Sequence, residues 1–214
     1  MQLIGENLSI ERGGEILFSS VNFLLEENQL LVITGANGAG KSTLLRIIAG
    51  LLSPLCGTIK FFDGVSHFEV APFAHYLGEK NAMKPHLSVA ANLKFWARFY
   101  QPSLTASAIQ SLIENALDRL NLRHVIDLPF GVLSTGQRRR IAICRLLLDD
   151  RVLWIIDEPT SGLDSAASDI FSALMQEHLD NKGMIIAATH LPLGIDTGHN
   201  LVLEPFTGND EAMK

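Results

Sequence analysis

The stretch LLVITGANGAGKSTLLRIIAGLL, residues 30–52, sets the reading of the whole chain. LLVIT is an unbroken apolar run, the pattern of a strand buried on both faces in a parallel sheet. STLLRIIAGLL reads as an apolar helix. Between them GANGAGKST, Gly35–Thr43, has the spacing G-x-x-x-x-G-K-[ST]. Glycine lets a backbone curl around a phosphate chain so that its N–H groups meet the oxygens. Gly35, Ala36, Asn37, Gly38, Ala39, Gly40, Lys41, Ser42 and Thr43 are therefore the expected nucleotide site. Lys41 supplies charge for the β- and γ-phosphates, and the Ser42 hydroxyl is a candidate ligand for Mg²⁺.

Further along, VLWIIDEP (152–159) is a second apolar strand ending in acid. Asp157 falls at the sheet edge beside the glycine loop, where it can hold Mg²⁺, usually through water. Glu158 follows, placed to polarise an attacking water as a general base. A third strand, MIIAATH, leads to His190, which can hydrogen-bond a γ-phosphate. Pro159 reads as structural.

LSTGQRRR (133–140) opens another helix, with Ser134 as its N-cap. Helix N-termini favour anions because their first N–H groups lack partners. Two such starts in one chain raise the question of which phosphate the second one holds.

Taken together, the glycine loop, LSTGQ, the strand ending in Asp-Glu, SGLD (161–164) and the strand-end histidine resemble the ATP-binding cassette family over essentially the whole chain. The resemblance implies an α/β P-loop NTPase fold: a mainly parallel, RecA-like core with an antiparallel β layer and a helical insertion. It implies an ATPase that uses ATP and Mg²⁺, with Lys41, Glu158 and His190 catalytic and Ser42 and Asp157 at the metal. In that family LSTGQ caps the ATP of a second subunit, so Ser134, Thr135, Gly136, Gln137 and Asp164 would act in trans within a homodimer that sandwiches ATP. Thr135 stands where the family most often has glycine. Arg12 stands where an aromatic usually stacks on adenine; its guanidinium can stack in turn, or it is an exposed turn arginine. Glu79 and Lys80 stand where a glutamine is expected to touch Mg²⁺. A lysine ammonium cannot ligate Mg²⁺, whereas the Glu79 carboxylate can substitute.

LFSSVNF, the frame AMKPHLSVAANLKFWARFY, LWIIDEP and ATHLPL are similar to the haem-exporter ATPases of cytochrome c maturation, the CcmA family. This implies a peripheral subunit on the cytoplasmic face of a bacterial inner membrane, with membrane partners of CcmB and CcmC type. ATP would drive haem translocation or release a haem-loaded chaperone. Phe95 and Trp96 either dock a partner or pack inward, and Pro85 would lie near the membrane subunits. An ATPase for another cargo and a soluble, non-transport cassette ATPase are the alternatives.

The chain as a whole fits these expectations. Its 214 residues suit one good-sized domain, with a core at about 1–79 and 151–214 and a helical subdomain at about 80–150. Hydrophobic residues make up 47% and no run approaches the ~20 needed to span a bilayer. MQLIGENLSIERG does not look like a secretory signal. A net charge of −6 argues against nucleic acid as partner, and Arg138–Arg140 reads as a local, solvated helix face. Cys56 and Cys144 read as reduced thiols, one in a loop and one in a helix.

Overall fold

The computed structural model describes residues 1–195, 198–204 and 206. They divide into two compact units. The first comprises 1–78, 151–159 and 175 onward; the second comprises 79–150 and 160–174.

In the first unit, β1 (Gln2–Arg12) and β2 (Glu15–Glu26) form a hairpin around Gly13-Gly14, the turn read from the sequence. EILF and VNFLLEE, which look like separate strands, are one. Ser20 and Asn7 adopt positive φ (54° and 50°) where the register slips, so the irregularity bends the hairpin without ending it. With β4 (Cys56–Phe62) and the two-residue β5 (His67–Phe68) they make an antiparallel sheet in the order β2-β1-β4-β5.

A second sheet is wholly parallel. It joins β3 (Leu30–Thr34), β6 (Ala74–Leu77), β7 (Leu153–Asp157), β8 (Met184–Ala188) and β9 (Gly198–Val202) in the order β6-β7-β8-β3-β9. Every residue of β7 and β8 is buried, which explains their unbroken apolar sequences. The reading NLVLEP for the last strand ends on Pro205, outside the described residues; β9 itself begins earlier, at Gly198. Helix α1 (Lys41–Ile48) buries Thr43, Leu44, Leu45, Ile47 and Ile48 and packs on β7 and β8. Leu3, Phe18, Phe61, Ile33, Leu44 and Ile155 belong to the continuous core of this unit.

The second unit is helical. Helix α2 (Val89–Tyr100) is capped by Ser88 and α3 (Ala106–Arg119) by Thr105, each side chain accepting a first-turn N–H. Helix α4 (Thr135–Cys144) runs on into a 3₁₀ turn, Arg145–Leu147. α2 packs on α3, and α3 on α4. Helix α5 (Ser165–Asp180) begins in this unit.

Two further expectations need correction. Arg139 is only 4% exposed and Arg138 and Arg140 are half-buried, with Arg140 Nη1 donating to the Leu120 carbonyl at 3.2 Å. The arginines are therefore not a solvated face, because α3 and its C-terminal turn pack beside α4. Cys56 lies not in a loop but at the start of β4, exposed. Cys144 is buried at the end of α4, where burial pushes its thiol pKa far above the usual range.

Candidate functional site

The glycine loop leaves β3 at its C-terminal end. Gly35 has φ 138°, and a Cβ there would run into the carbonyl oxygen of Leu203, just past β9. At the other end Gly40 precedes α1 in the left-handed conformation (φ 96°), with no side chain capping the helix. A Cβ on Gly40 would stand 2.9 Å from the Phe18 ring, so β2 presses on the loop from behind. No capping side chain competes for the first-turn amides of α1, which suits them to an anion. Lys41 Nζ donates to the carbonyls of Gly35 at 2.7 Å and Ala36 at 3.1 Å. The ammonium thus lies across the mouth of the loop, and its three-donor capacity leaves one hydrogen for a phosphate.

Sheet register places the acids. Asp157 is level with Ala188 of β8, and Ala188 is level with Ile33 of β3, two residues before Gly35. Neighbouring strands lie about 4.8 Å apart, so β7 delivers Asp157 to the same sheet edge as the loop, roughly 10 Å across. Asp157 is buried and Glu158 half-buried. Glu158 has a positive φ of 46°, and its N–H donates to the Ala188 carbonyl at 2.9 Å. Non-glycine residues hold such conformations only where their surroundings impose them, commonly at functional sites. His190 does not end a strand. β8 stops at Ala188, and His190 lies two residues beyond it, exposed.

Among the described residues no three His, Cys, Asp or Glu side chains converge to cage a metal ion. A hydroxyl and a buried carboxylate, Ser42 and Asp157, are hard oxygen donors. They suit a Mg²⁺ ion whose other ligands are phosphate oxygens and water.

In the second unit, Ser134 and Gln137 form a reciprocal capping box. Ser134 Oγ accepts from the Gln137 N–H at 3.2 Å, and Gln137 Oε1 accepts from the Ser134 N–H at 3.0 Å. The Ser134 hydroxyl keeps its own hydrogen to donate outward. This turn meets SGLD: a Cβ on Gly136 would stand 3.1 Å from the Gly162 oxygen, and one on Gly162 would stand 3.3 Å from Thr135 Cγ2. Asp164 Oδ1 accepts from Ala167 N at 2.8 Å, so its carboxylate caps α5.

Arg12 is exposed at the end of β1, paired with Glu15. Three steps along the strand, roughly 10 Å, separate Glu15 from Phe18 behind the glycine loop. Glu79 and Lys80 are exposed. Of the two aromatics singled out in α2, Phe95 is 63% exposed, while Trp96 is half-buried and donates from Nε1 to the Ala82 carbonyl at 3.1 Å. Sequence reasoning did not find Leu203 against Gly35, Gly162 against Thr135, or Arg145 over Trp96. All three are contacts between residues far apart in the chain, with no local signal.

A glycine loop between β3 and α1, an acidic strand end level with it, and a capped LSTGQ helix define an ATP-binding cassette domain. The family model described as ABC transporter matches residues 18–161, and the chain belongs to that family. Within it, the chain belongs with the cytochrome c biogenesis ATP-binding export proteins CcmA. It is 52% identical to the one from Brucella melitensis, over 94% of each chain, and 54% identical to that of Mesorhizobium japonicum, over 92% of this chain and 95% of the relative. The Bartonella henselae protein is 47% identical over the full length of both. Among solved structures, a putative ABC transporter ATP-binding protein from Pyrococcus furiosus superposes with TM-score 0.79 at 25% identity, covering 95% of this chain and 98% of that one. A dimeric ATP-binding cassette in a post-hydrolysis state with ADP and phosphate shares the fold, with TM-score 0.83 at 21% identity over 95% and 96% of the two chains.

Proposed function

We propose that this chain is the ATP-hydrolysing subunit of an ABC transporter of cytochrome c maturation, and that haem export or release of a haem-loaded chaperone is the step it powers. The observation that carries the ATPase reading is the level register of Asp157, Ala188 and Ile33, which brings an acidic strand end to the edge occupied by the glycine loop. The cytochrome c assignment is supported by relatives that carry that name and match from end to end.

In this reading, Gly35–Thr43 wraps the phosphates, with Lys41 on the β- and γ-oxygens and Arg12 beside the adenine. Ser42 and Asp157 hold Mg²⁺, and Glu79 is the candidate to substitute for the metal-touching glutamine of the family; the ion neutralises developing phosphate charge. Glu158 orients and deprotonates the attacking water, and His190 hydrogen-bonds the γ-phosphate. Ser134, Thr135, Gly136, Gln137 and Asp164 complete the site of a second copy, so two chains close head to tail around two ATP molecules. The Ser134 capping box supports this role, because a hydroxyl that accepts from its own helix is oriented to donate to an anion. No helix among the described residues is long and apolar enough to cross a membrane, consistent with a peripheral subunit held at the inner face of the inner membrane by CcmB- and CcmC-type partners.

Replacing Lys41 with Ala in the native host tests the reading. It removes the cationic contact to the γ-phosphate. Holo-cytochrome c should disappear from haem-stained gels while apocytochrome and total haem persist. Normal c-type cytochromes alongside some other transport defect would overturn the haem assignment and leave the ATPase standing.

A further inference from the structure

The buried Arg145 closes α4 at the end opposite Ser134, roughly 16 Å away at 1.5 Å per residue. Its guanidinium lies 3.7 Å from the centroid of the Trp96 ring, with Nη2 donating to Tyr100 Oη at 3.3 Å and Nη1 reaching the Asn81 carbonyl at 3.5 Å. Trp96 stacks on Tyr100 and holds the Ala82 carbonyl through its indole N–H. Ala82 itself has a positive φ of 54°, a conformation that needs such outside support. Two residues on, buried Asn92 accepts from Lys84 N at 2.7 Å and donates to its carbonyl at 3.0 Å. The base of the 79–84 loop is thus tied to α2 and to the far end of α4, while Glu79 and Lys80 remain exposed.

We propose that Arg145 and Trp96 are a positioning pair that ties the loop carrying Glu79 and Lys80 to the phosphate-capping turn at Ser134. A buried guanidinium held over the face of an indole is attracted by the negative face of the ring. It lets the loop and the α4 rod move as one body, so a displacement at the exposed loop tip reaches Ser134. The inference rests on the reading of Ser134 as a trans phosphate contact, and it predicts a coupling already present in the monomer.

Amide hydrogen exchange on the full-length chain tests it. Arg145→Gln and Trp96→Leu should speed exchange at least tenfold at residues 80–84 and, together with them, at 137–140, with α3 unchanged at 113–117. Turnover kcat for ATP should fall at least tenfold with KM within threefold. Trp96→Phe keeps a ring face under the guanidinium and should retain the protection at 137–140 and kcat within threefold. Should the leucine variant not fold, Arg145→Lys, which loses the stacking plane, is measured in the same way. Loosening confined to 80–84, loosening that spreads to α3, or no change at either segment would overturn the proposal. A parent chain without ATPase activity would count against the proposed function, while the exchange pattern would still decide the coupling.

Discussion

The N–H of Glu158 bonds to the carbonyl of Ala188 at 2.9 Å while Glu158 holds φ at 46°. The bond extends the β7–β8 ladder one residue past the strand end and fixes the carboxylate's backbone in a conformation that costs on the order of 1–3 kcal/mol. Glutamine has the same shape and keeps that backbone but cannot take a proton from water. Glu158→Gln should bind Mg-ATP, hydrolyse it at least a hundredfold more slowly, and accumulate as a dimer by size exclusion with light scattering. Adding Ser134→Arg should return it to monomer. Identical masses for Glu158→Gln and the double variant in the presence of ATP would refute the trans site.

Lys80 makes a separate case. The loop is anchored through the carbonyls of Asn81 and Ala82, not through the exposed Lys80 side chain. Lys80→Gln should therefore leave the ATPase rate of the isolated subunit within about threefold, whereas Lys41→Ala should abolish it. A rise of orders of magnitude in Lys80→Gln would make this loop an inhibitory element.

Gly35 is under two constraints at once, a φ of 138° and the Leu203 carbonyl against its Cα. Gly35→Ala should lower the unfolding free energy by about 2–4 kcal/mol and weaken nucleotide binding at least tenfold. Gly14→Ala, at a hairpin tip with open space around it, should cost about 1 kcal/mol and leave binding unchanged. Denaturant melts and nucleotide titrations of the two variants provide the comparison.

The cysteines should separate cleanly by reactivity. Cys56 is exposed, whereas Cys144 is buried with its thiol donating to the Ala116 carbonyl at 3.6 Å. One thiol should react with a disulfide reagent in native buffer and two in denaturant. Burial raises the Cys144 pKa, so the native state keeps a proton that the unfolded chain releases above its ordinary value of about 8.5. This contribution to stability is full below that pH and declines as the solution becomes more alkaline. Cys144→Ala should flatten that part of the pH–stability curve.

Much of this molecule is legible residue by residue. The parallel strands LLVIT, LWIID and MIIAA announce themselves as unbroken apolar runs because both faces are covered. The glycine loop and the Ser134 cap are short-range devices whose chemistry depends on neighbours a few positions away, so spacing alone identifies them. Where the reading failed, the cause lay beyond the local window. Strand β2 continues past Ser20 because β1 pairs with both halves, and Arg139 is buried because α3 lies beside α4. The level of Asp157 against Ile33 needed the sheet order, since β8, far downstream in the chain, is what stands between them. Leu203 against Gly35, Gly162 against Thr135 and Arg145 over Trp96 are contacts between distant segments. They depend on chain topology and packing, which act across space and leave no periodic trace along the sequence.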